Sequence, residues 1–292
     1  MLACGEGAPS LRSRHIARDP SERWLRSRGV LAIAGAALLW STGGVGIKAI
    51  AASGLEVACY RSACAALVLF VLFRPRLRAD AGFLAAIGGY AACLTTFVVA
   101  TKWTTAANAI VLQYSGVVWV LVLAPLLLDE PFRARDATGI AAALAGVVLL
   151  FAGELGSPGR AGDLVALASG LFFAVVIVTL RRERDGGGEA VVTYGNALVA
   201  AALLPVVGVD RSLSTGAVGV ILFLGTVQIA GAYVLFVRGV RHVPAAQAAL
   251  VGLLEPVANP IWVFLLLGEQ PSPYAVAGGV LVLAAIVWGT LP

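Results

Sequence analysis

The stretch KWTTAANAIVLQYSGVVWVLVLAPLLLDEPFRARDATGIAAALAGVV, residues 102–148, is written twice in this chain. A shift of 139 positions lays it, without a gap, on RHVPAAQAALVGLLEPVANPIWVFLLLGEQPSPYAVAGGVLVLAAIV, residues 241–287. Ala106, Ala107, Ala109, Val118, Leu126, Leu127, Leu128, Glu130, Gly139, Leu144, Ala145 and Val148 meet identical residues. The loop word Leu-Leu-Leu-Asp-Glu returns as Leu-Leu-Leu-Gly-Glu. In a chain rich in Ala, Leu and Val some matches come free, so the weight rests on the ungapped register and on the matched glutamates, Glu130 and Glu269. A long period between two apolar halves is the mark of a duplicated membrane architecture rather than of a short-period solenoid.

Composition agrees. Of 292 residues, 60% are hydrophobic and 13% charged, with a mean hydropathy of +0.92. A soluble domain has about 45–50% apolar and about 25% charged residues. The chain is therefore read as an all-α integral membrane protein whose first partner is the lipid bilayer, and the net charge of +5 does not point to nucleic acid. The cysteines, Cys4, Cys59, Cys64 and Cys93, form no CxxC, and the only histidines, His15 and His242, lie in a tail and a loop. Neither a disulfide framework, nor a metal set, nor a histidine-based catalytic triad is expected. Without a GxxxxGK[ST] motif the chain has no ATPase of its own, and no cofactor is expected.

Residues 1–29 are polar and Arg-rich and read as a mobile tail. Beyond them, apolar runs of membrane-spanning length fall at 30–50, 55–73, 81–101, 105–128, 137–153, 163–180, 190–208, 214–237, 244–267 and 273–291. With the N-terminus inside, sixteen arginines flank the cytoplasmic side against Lys48, Lys102, Arg160 and Arg211 outside, so both termini are expected to be cytoplasmic. The expected fold is ten transmembrane helices built as two five-helix repeats, 30–153 and 163–291. Five being odd, the second repeat enters from the opposite side, and the repeats are inverted. Such repeats place a binding site near the midplane at their interface. Leu38-Leu39-Trp40 against Leu171-Phe172-Phe173, and Lys48 against Arg181, give thinner support for the first helix of each half.

Glu255 is the sharpest functional signal, midway along 244–267. A carboxylate at that depth costs about 2.5–3.5 kcal/mol on insertion scales, so it must face a cavity, a partner or a proton. Ala248, Gly252, Glu255, Asn259 and Trp262 fall on one stripe at helical spacing. Pro256 and Pro260 lack an N–H and leave the carbonyls of Gly252 and Pro256 without their helical donors. The plainer alternative is a kinked, packed helix in which Glu255 bonds a neighbour. In the first half, Gln113 occupies the place of Gly252, and Asn108 matches Gln247. Arg61, a few residues inside its segment, either attracts an anionic group, pairs with Glu255 or snorkels to the outer interface. Gln228 is an amide that lipid would not solvate. Trp40, Tyr90, Tyr114, Tyr194, Tyr233 and Trp119 are candidate wall aromatics, set against the commoner role of packing. Lys48 reads as an interfacial anchor, and Gly35, Gly43, Gly44 and Gly46 as sites of close helix approach. Glu130 and Glu269 read as caps of the helices that follow them.

Taken in order, Leu39-Trp40-Ser41, Lys48, Arg61, Thr104-Thr105-Ala106-Ala107-Asn108-Ala109-Ile110, Leu112-Gln113-Tyr114-Ser115, Leu127-Leu128-Asp129-Glu130, Leu254-Glu255-Pro256 and Leu267-Gly268-Glu269 resemble the EamA-type transporters of the drug/metabolite transporter superfamily. The resemblance covers about residues 30–291. It implies a two-repeat carrier, in most members an exporter of small metabolites, amino acids among them. Members often carry proline after the Leu-Gln-Tyr run; Gly116-Val117 stands here, which leads us to expect a straighter helix than 244–267.

The function expected is alternating-access transport of a small-molecule substrate. Glu255 would be the proton-coupling acid or amine partner, and Asn259, Gln113 and Gln228 polar contacts. Trp40, Tyr90 and Tyr114 would form walls, and Arg61 an anion contact. The rival is an intramembrane enzyme acting on a lipid-linked substrate; it would need clustered carboxylates for a divalent cation, whereas the sixteen acids are scattered over loops.

Overall fold

The computed structural model describes residues 20–131, 133–152, 159–208, 213–267 and 270–290, and all the regular structure among them is helical. In chain order the helices are α1 (Pro20–Trp40), α2 (Gly43–Ala49), α3 (Gly54–Phe73), α4 (Ala81–Trp103), α5 (Ala106–Tyr114), α6 (Val117–Leu128), α7 (Ala134–Leu150), α8 (Arg160–Arg182), α9 (Gly188–Val207), α10 (Thr215–Phe223), α11 (Ala232–Val240), α12 (Ala245–Gly252), α13 (Leu254–Leu267) and α14 (Pro273–Thr290). A π-helical turn, Leu224–Gly231, joins α10 to α11. Eight stretches are long and apolar enough to cross a membrane. Two expected spans fall outside that set: α7 has 17 residues, and α12 and α13 are separated at Leu253.

Two expectations need correction. Helix α1 begins at Pro20, ten residues before the apolar run, so the polar tail is not wholly outside regular structure. Apolar counting could not see this. The tie is polar: Arg26 donates to Gln247 Oε1 at 2.7 Å and to the Thr290 carbonyl at 3.2 Å, which also puts the start of α1 and the end of α14 together. Secondly, the first-half helix is not straight. Ser115 and Gly116 separate α5 from α6, where Gly116 N–H bonds Gln113 O and Val118 N–H bonds Ser115 O, each three residues back. Shifted by 139, this break lands on Leu254 and Glu255, beside the Leu253 break. The duplication includes the interruption, although only the second copy has proline there.

The helix ends carry their own signals. Ser53 and Glu56 form a reciprocal capping box on α3, and the Thr105 and Ser214 hydroxyls accept from the third residue of α5 and α10. Asp80 caps α4; the Phe83 N–H, with Arg78 beside it, holds this exposed carboxyl below its ordinary range.

Packing follows the duplication. The most extensive contacts are α4 with α8, α7 with α14, α3 with α9 and α1 with α11. Exchanging each helix for its counterpart in the other half maps α3–α9 and α7–α14 onto themselves and α4–α8 onto α1–α11. Helix association in lipid relies on close van der Waals approach, and glycines provide it. A Cβ on Gly278 would sit 2.5 Å from the Gly146 carbonyl, and one on Gly116 only 2.0 Å from that of Gly170. The α5–α6 break is thus pressed against the backbone of α8.

Gly116→Ala is therefore expected to cost about 1–3 kcal/mol through forced separation of these backbones, read as a lower melting temperature in detergent. Gly219→Ala, where nothing lies within 4 Å of the added carbon, should leave it unchanged or slightly raised.

Candidate functional site

The site begins with a missing donor. Pro256 has no N–H, so the Gly252 carbonyl lacks its helical partner, as the sequence predicted. The Tyr114 hydroxyl stands in that place, 3.0 Å from Gly252 O and 2.6 Å from Glu255 Oε2. Tyr114 is the last residue of α5. The breaks of the two repeated helices therefore meet through one phenol. Glu255 is 8% exposed and lies in the first turn of α13, where the positive end of the helix dipole faces it.

A second break supplies a second amide. At the Ser41–Thr42 turn between α1 and α2, the Trp40 carbonyl accepts from Gln228 Nε2 at 3.4 Å. Gln228 sits in the π-helical turn, a feature frequent at functional sites. A Cβ on Gly43 would lie 2.6 Å from that amide nitrogen, so the glycine admits the side chain. Gln228 Oε1 has no partner among the described residues.

Arg61, on α3, is 1% exposed and does not snorkel. Its Nη2 reaches the Leu94 carbonyl at a long 3.5 Å, while Nε and Nη1 have no partner among the described residues. Nor does it pair with Glu255; the ion pairs among the described residues lie elsewhere. Yet both line one cavity of about 40 Å³, with Trp40, Gln113, Gln228 and Tyr233. That volume has room for water. Gln113 is held by its amide, which donates to Ser169 Oγ at 2.8 Å.

The structure thus brings together Glu255, Gln113, Gln228, Arg61 and Trp40, with Tyr114 bonded to Glu255. Tyr90 stands behind, its ring 4.8 Å from that of Tyr233 and its oxygen accepting from Asn196. Asn259, one turn beyond Glu255 on α13, does not line this cavity, and its buried Oδ1 has no partner among the described residues. Trp262 bonds Ser41 Oγ at 2.7 Å. Trp119 is half exposed, and Tyr194 bonds the Pro75 carbonyl. Sequence reasoning missed Phe173 as a lining residue. The signal was present: Phe173 is the counterpart of Trp40, and the two rings meet edge to face at 6.1 Å.

Glu130 corrects another expectation. It does not cap α7, the next helix, but α12 of the other half: the Ala245 N–H donates to its Oε2 at 2.8 Å. Arg181 Nε donates to Oε1 at 2.7 Å, and Arg181 Nη1 donates to the Val240 and Arg241 carbonyls. One ion pair fills the orphan ends of α11 and α12 together. Lys48, the counterpart of Arg181, donates to the Thr104 carbonyl at the end of α4. Glu269 lies outside the described residues.

Residues 27–152 and 160–290 match the EamA-like transporter family, one copy in each half. The chain belongs to that family. An uncharacterized protein of Pseudomonas aeruginosa is 29% identical to this EamA-like transporter over 272 residues, covering 88% of this chain and 92% of its own. An uncharacterized transporter of Archaeoglobus fulgidus is 28% identical, over 66% of this chain and 70% of its own. A solved crystal structure superimposes with a TM-score of 0.78, over 90% of this chain and 97% of its own, at 18% identity, a likeness of fold. The chain is a multi-pass membrane protein of a transporter family.

A buried guanidinium without a counter-ion costs stability, and an apolar side chain of similar volume removes that cost. Arg61→Met is expected to melt no earlier than wild type, with a gain of up to about 4 kcal/mol, while solute exchange in liposomes is lost. Earlier melting would assign Arg61 a structural role instead.

Proposed function

We propose that this EamA-like chain is a secondary transporter exporting small organic metabolites such as amino acids by alternating access. In this reading ten helices cross the cytoplasmic membrane, with α7 and the α12–α13 pair completing the eight long apolar ones. Residues 30–153 and 163–291 form two inverted five-helix repeats, preceded by a polar tail at 1–29. Both termini are cytoplasmic. The arginine bias supports this orientation, and the Arg26–Thr290 bond supports an even number of crossings.

The observation that carries the proposal is that Arg61, with two unpartnered nitrogens, and Glu255, bonded to Tyr114 but to no cation among the described residues, line one cavity between the halves. Buried charges are ordinarily paired. A zwitterionic solute would complete both, its carboxylate on the free N–H groups of Arg61 and its ammonium on Glu255. Gln113, Gln228 and Asn259 add polar contacts along the path, and Trp40, Tyr90 and Tyr114 build or back its aromatic wall. When no solute is bound, a proton on Glu255 neutralises the carboxylate, which couples flux to a pH gradient. Rocking one repeat against the other widens the cavity to each side in turn.

Counterflow of labelled amino acids and small carboxylates into proteoliposomes tests this. Wild type is expected to exchange at least one zwitterion and to accumulate it down a proton gradient. Arg61→Gln should slow exchange about tenfold or more, the worth of a lost charged hydrogen bond. Glu255→Gln, which weakens the contact to the ammonium and cannot carry a proton, should slow exchange and abolish accumulation. Wild type that moves no member of the panel, and whose melting temperature none of them raises, overturns the proposal.

A further inference from the structure

One phenol cannot serve two acceptors. Tyr114 carries a single hydroxyl proton, and the Gly252 carbonyl can only accept. The Tyr114 oxygen lies within hydrogen-bond distance of both Gly252 O, at 3.0 Å, and Glu255 Oε2, at 2.6 Å. Both bonds are well formed together only if Tyr114 donates to Gly252 and the second proton comes from the carboxyl, Glu255 donating to Tyr114. The alternative is a charged Glu255 that draws the Tyr114 proton to itself, a charge-assisted bond and the stronger of the two. Gly252 O then loses its donor, and Pro256 ensures that none replaces it along the helix.

We infer that Tyr114 is a positioning residue that makes the joint between α12 and α13 read the proton on Glu255: neutral Glu255 fastens the joint through Tyr114 and Gly252, and charged Glu255 releases it. In the step the carboxyl proton leaves Glu255 for water in the cavity, and the Tyr114 hydroxyl hydrogen swings from the Gly252 carbonyl to the carboxylate. Other titratable groups face Glu255 from every side: Arg61 from α3, Cys93 from α4 and Tyr233 from α11, besides Tyr114 from α5. None of them bonds the Gly252 carbonyl, so Tyr114 alone links the charge to the backbone break. The same phenol ends α5, so the state of Glu255 is felt at both repeated breaks at once. A solute ammonium arriving at Glu255 would favour the charged form and free the joint in the same way. This deepens the transport reading above and rests on the same carboxyl.

Hydrogen–deuterium exchange of the backbone amides of residues 250–255, in nanodiscs across a pH series, tests the inference without solute. In wild type, uptake corrected for intrinsic chemical exchange should rise about fivefold or more with pH. The rise should coincide with loss of the infrared carboxylic C=O band that Glu255→Gln removes. Glu255→Gln keeps a donor for Tyr114 and should stay protected at every pH. Tyr114→Phe leaves Gly252 without a donor and should stay exposed at every pH. A Tyr114 that merely packs would lower protection when removed but give wild type no pH step. Wild-type uptake without a pH step, or a step that survives in Tyr114→Phe, overturns the inference. Should Tyr114→Phe not fold, wild type and Glu255→Gln decide alone, since a step in both overturns it equally. These readouts need no flux: a pH-blind joint in a protein that exchanges solute defeats this inference and leaves the transport reading standing, whereas a stepping joint without flux does the reverse.

Discussion

A helix interrupted among lipid-facing helices must have its freed carbonyls met by protein or by water in a cavity, because lipid offers no donor. In this chain that constraint builds the site. The Gly252 carbonyl, orphaned by Pro256, takes a phenol from the other repeat, and the Trp40 carbonyl, at the α1–α2 turn, takes an amide from the π-helical turn. Each repair draws a polar side chain to the interface between halves, where it becomes available to something else. Tyr114 reaches on to Glu255, and Gln228 offers an unpartnered oxygen to the cavity. Backbone accounting and site chemistry are here one problem.

The same logic holds at the end of the bundle where Glu130 lies. Loops between antiparallel helices leave carbonyls at one terminus and N–H groups at the next. Glu130 and Arg181 answer both with one ion pair spanning the two halves, about 13–17% exposed and so only partly screened. The identity of Glu130 and Glu269 in the repeat is a statement about loop geometry first. It became legible as a contact between halves only once α12, and not α7, proved to be the helix whose end it fills.

Much of this arrangement was open to reading in the chain itself. The ungapped 139-residue register placed the halves, and it carried the α5–α6 break that local chemistry hid. Gly116-Val117 has no proline and no obvious reason to interrupt a helix. What decides it is tertiary: Gly116 lies against Gly170 so closely that neither can bear a side chain. Glu255, Gln113, Gln228 and Arg61 stood out because lipid would not tolerate them. Asn259 looked equally placed, one turn beyond Glu255 on the same helix, but the cavity closes short of it. The start of α1 escaped because Arg26 is fixed by partners more than two hundred positions away. Phe173 escaped because one more phenylalanine in an apolar helix carries no signal without the repeat that pairs it with Trp40.

What distinguishes this cavity from a packed core is the unequal treatment of its polar groups. Gln113 is held by Ser169, and Tyr90 behind the cavity by Asn196, each with a good bond. Arg61 and Gln228 keep atoms unpartnered, although the Glu255 carboxyl lines the same space. A fold selected for stability alone would pair Arg61 with Glu255 or replace both. Holding them apart costs several kcal/mol in a buried setting, a cost that makes physical sense if a solute or a proton completes each in turn. The first half supplies Arg61 and the phenol, and the second supplies the acid, so neither repeat alone contains the chemistry that their duplicated backbone brings together.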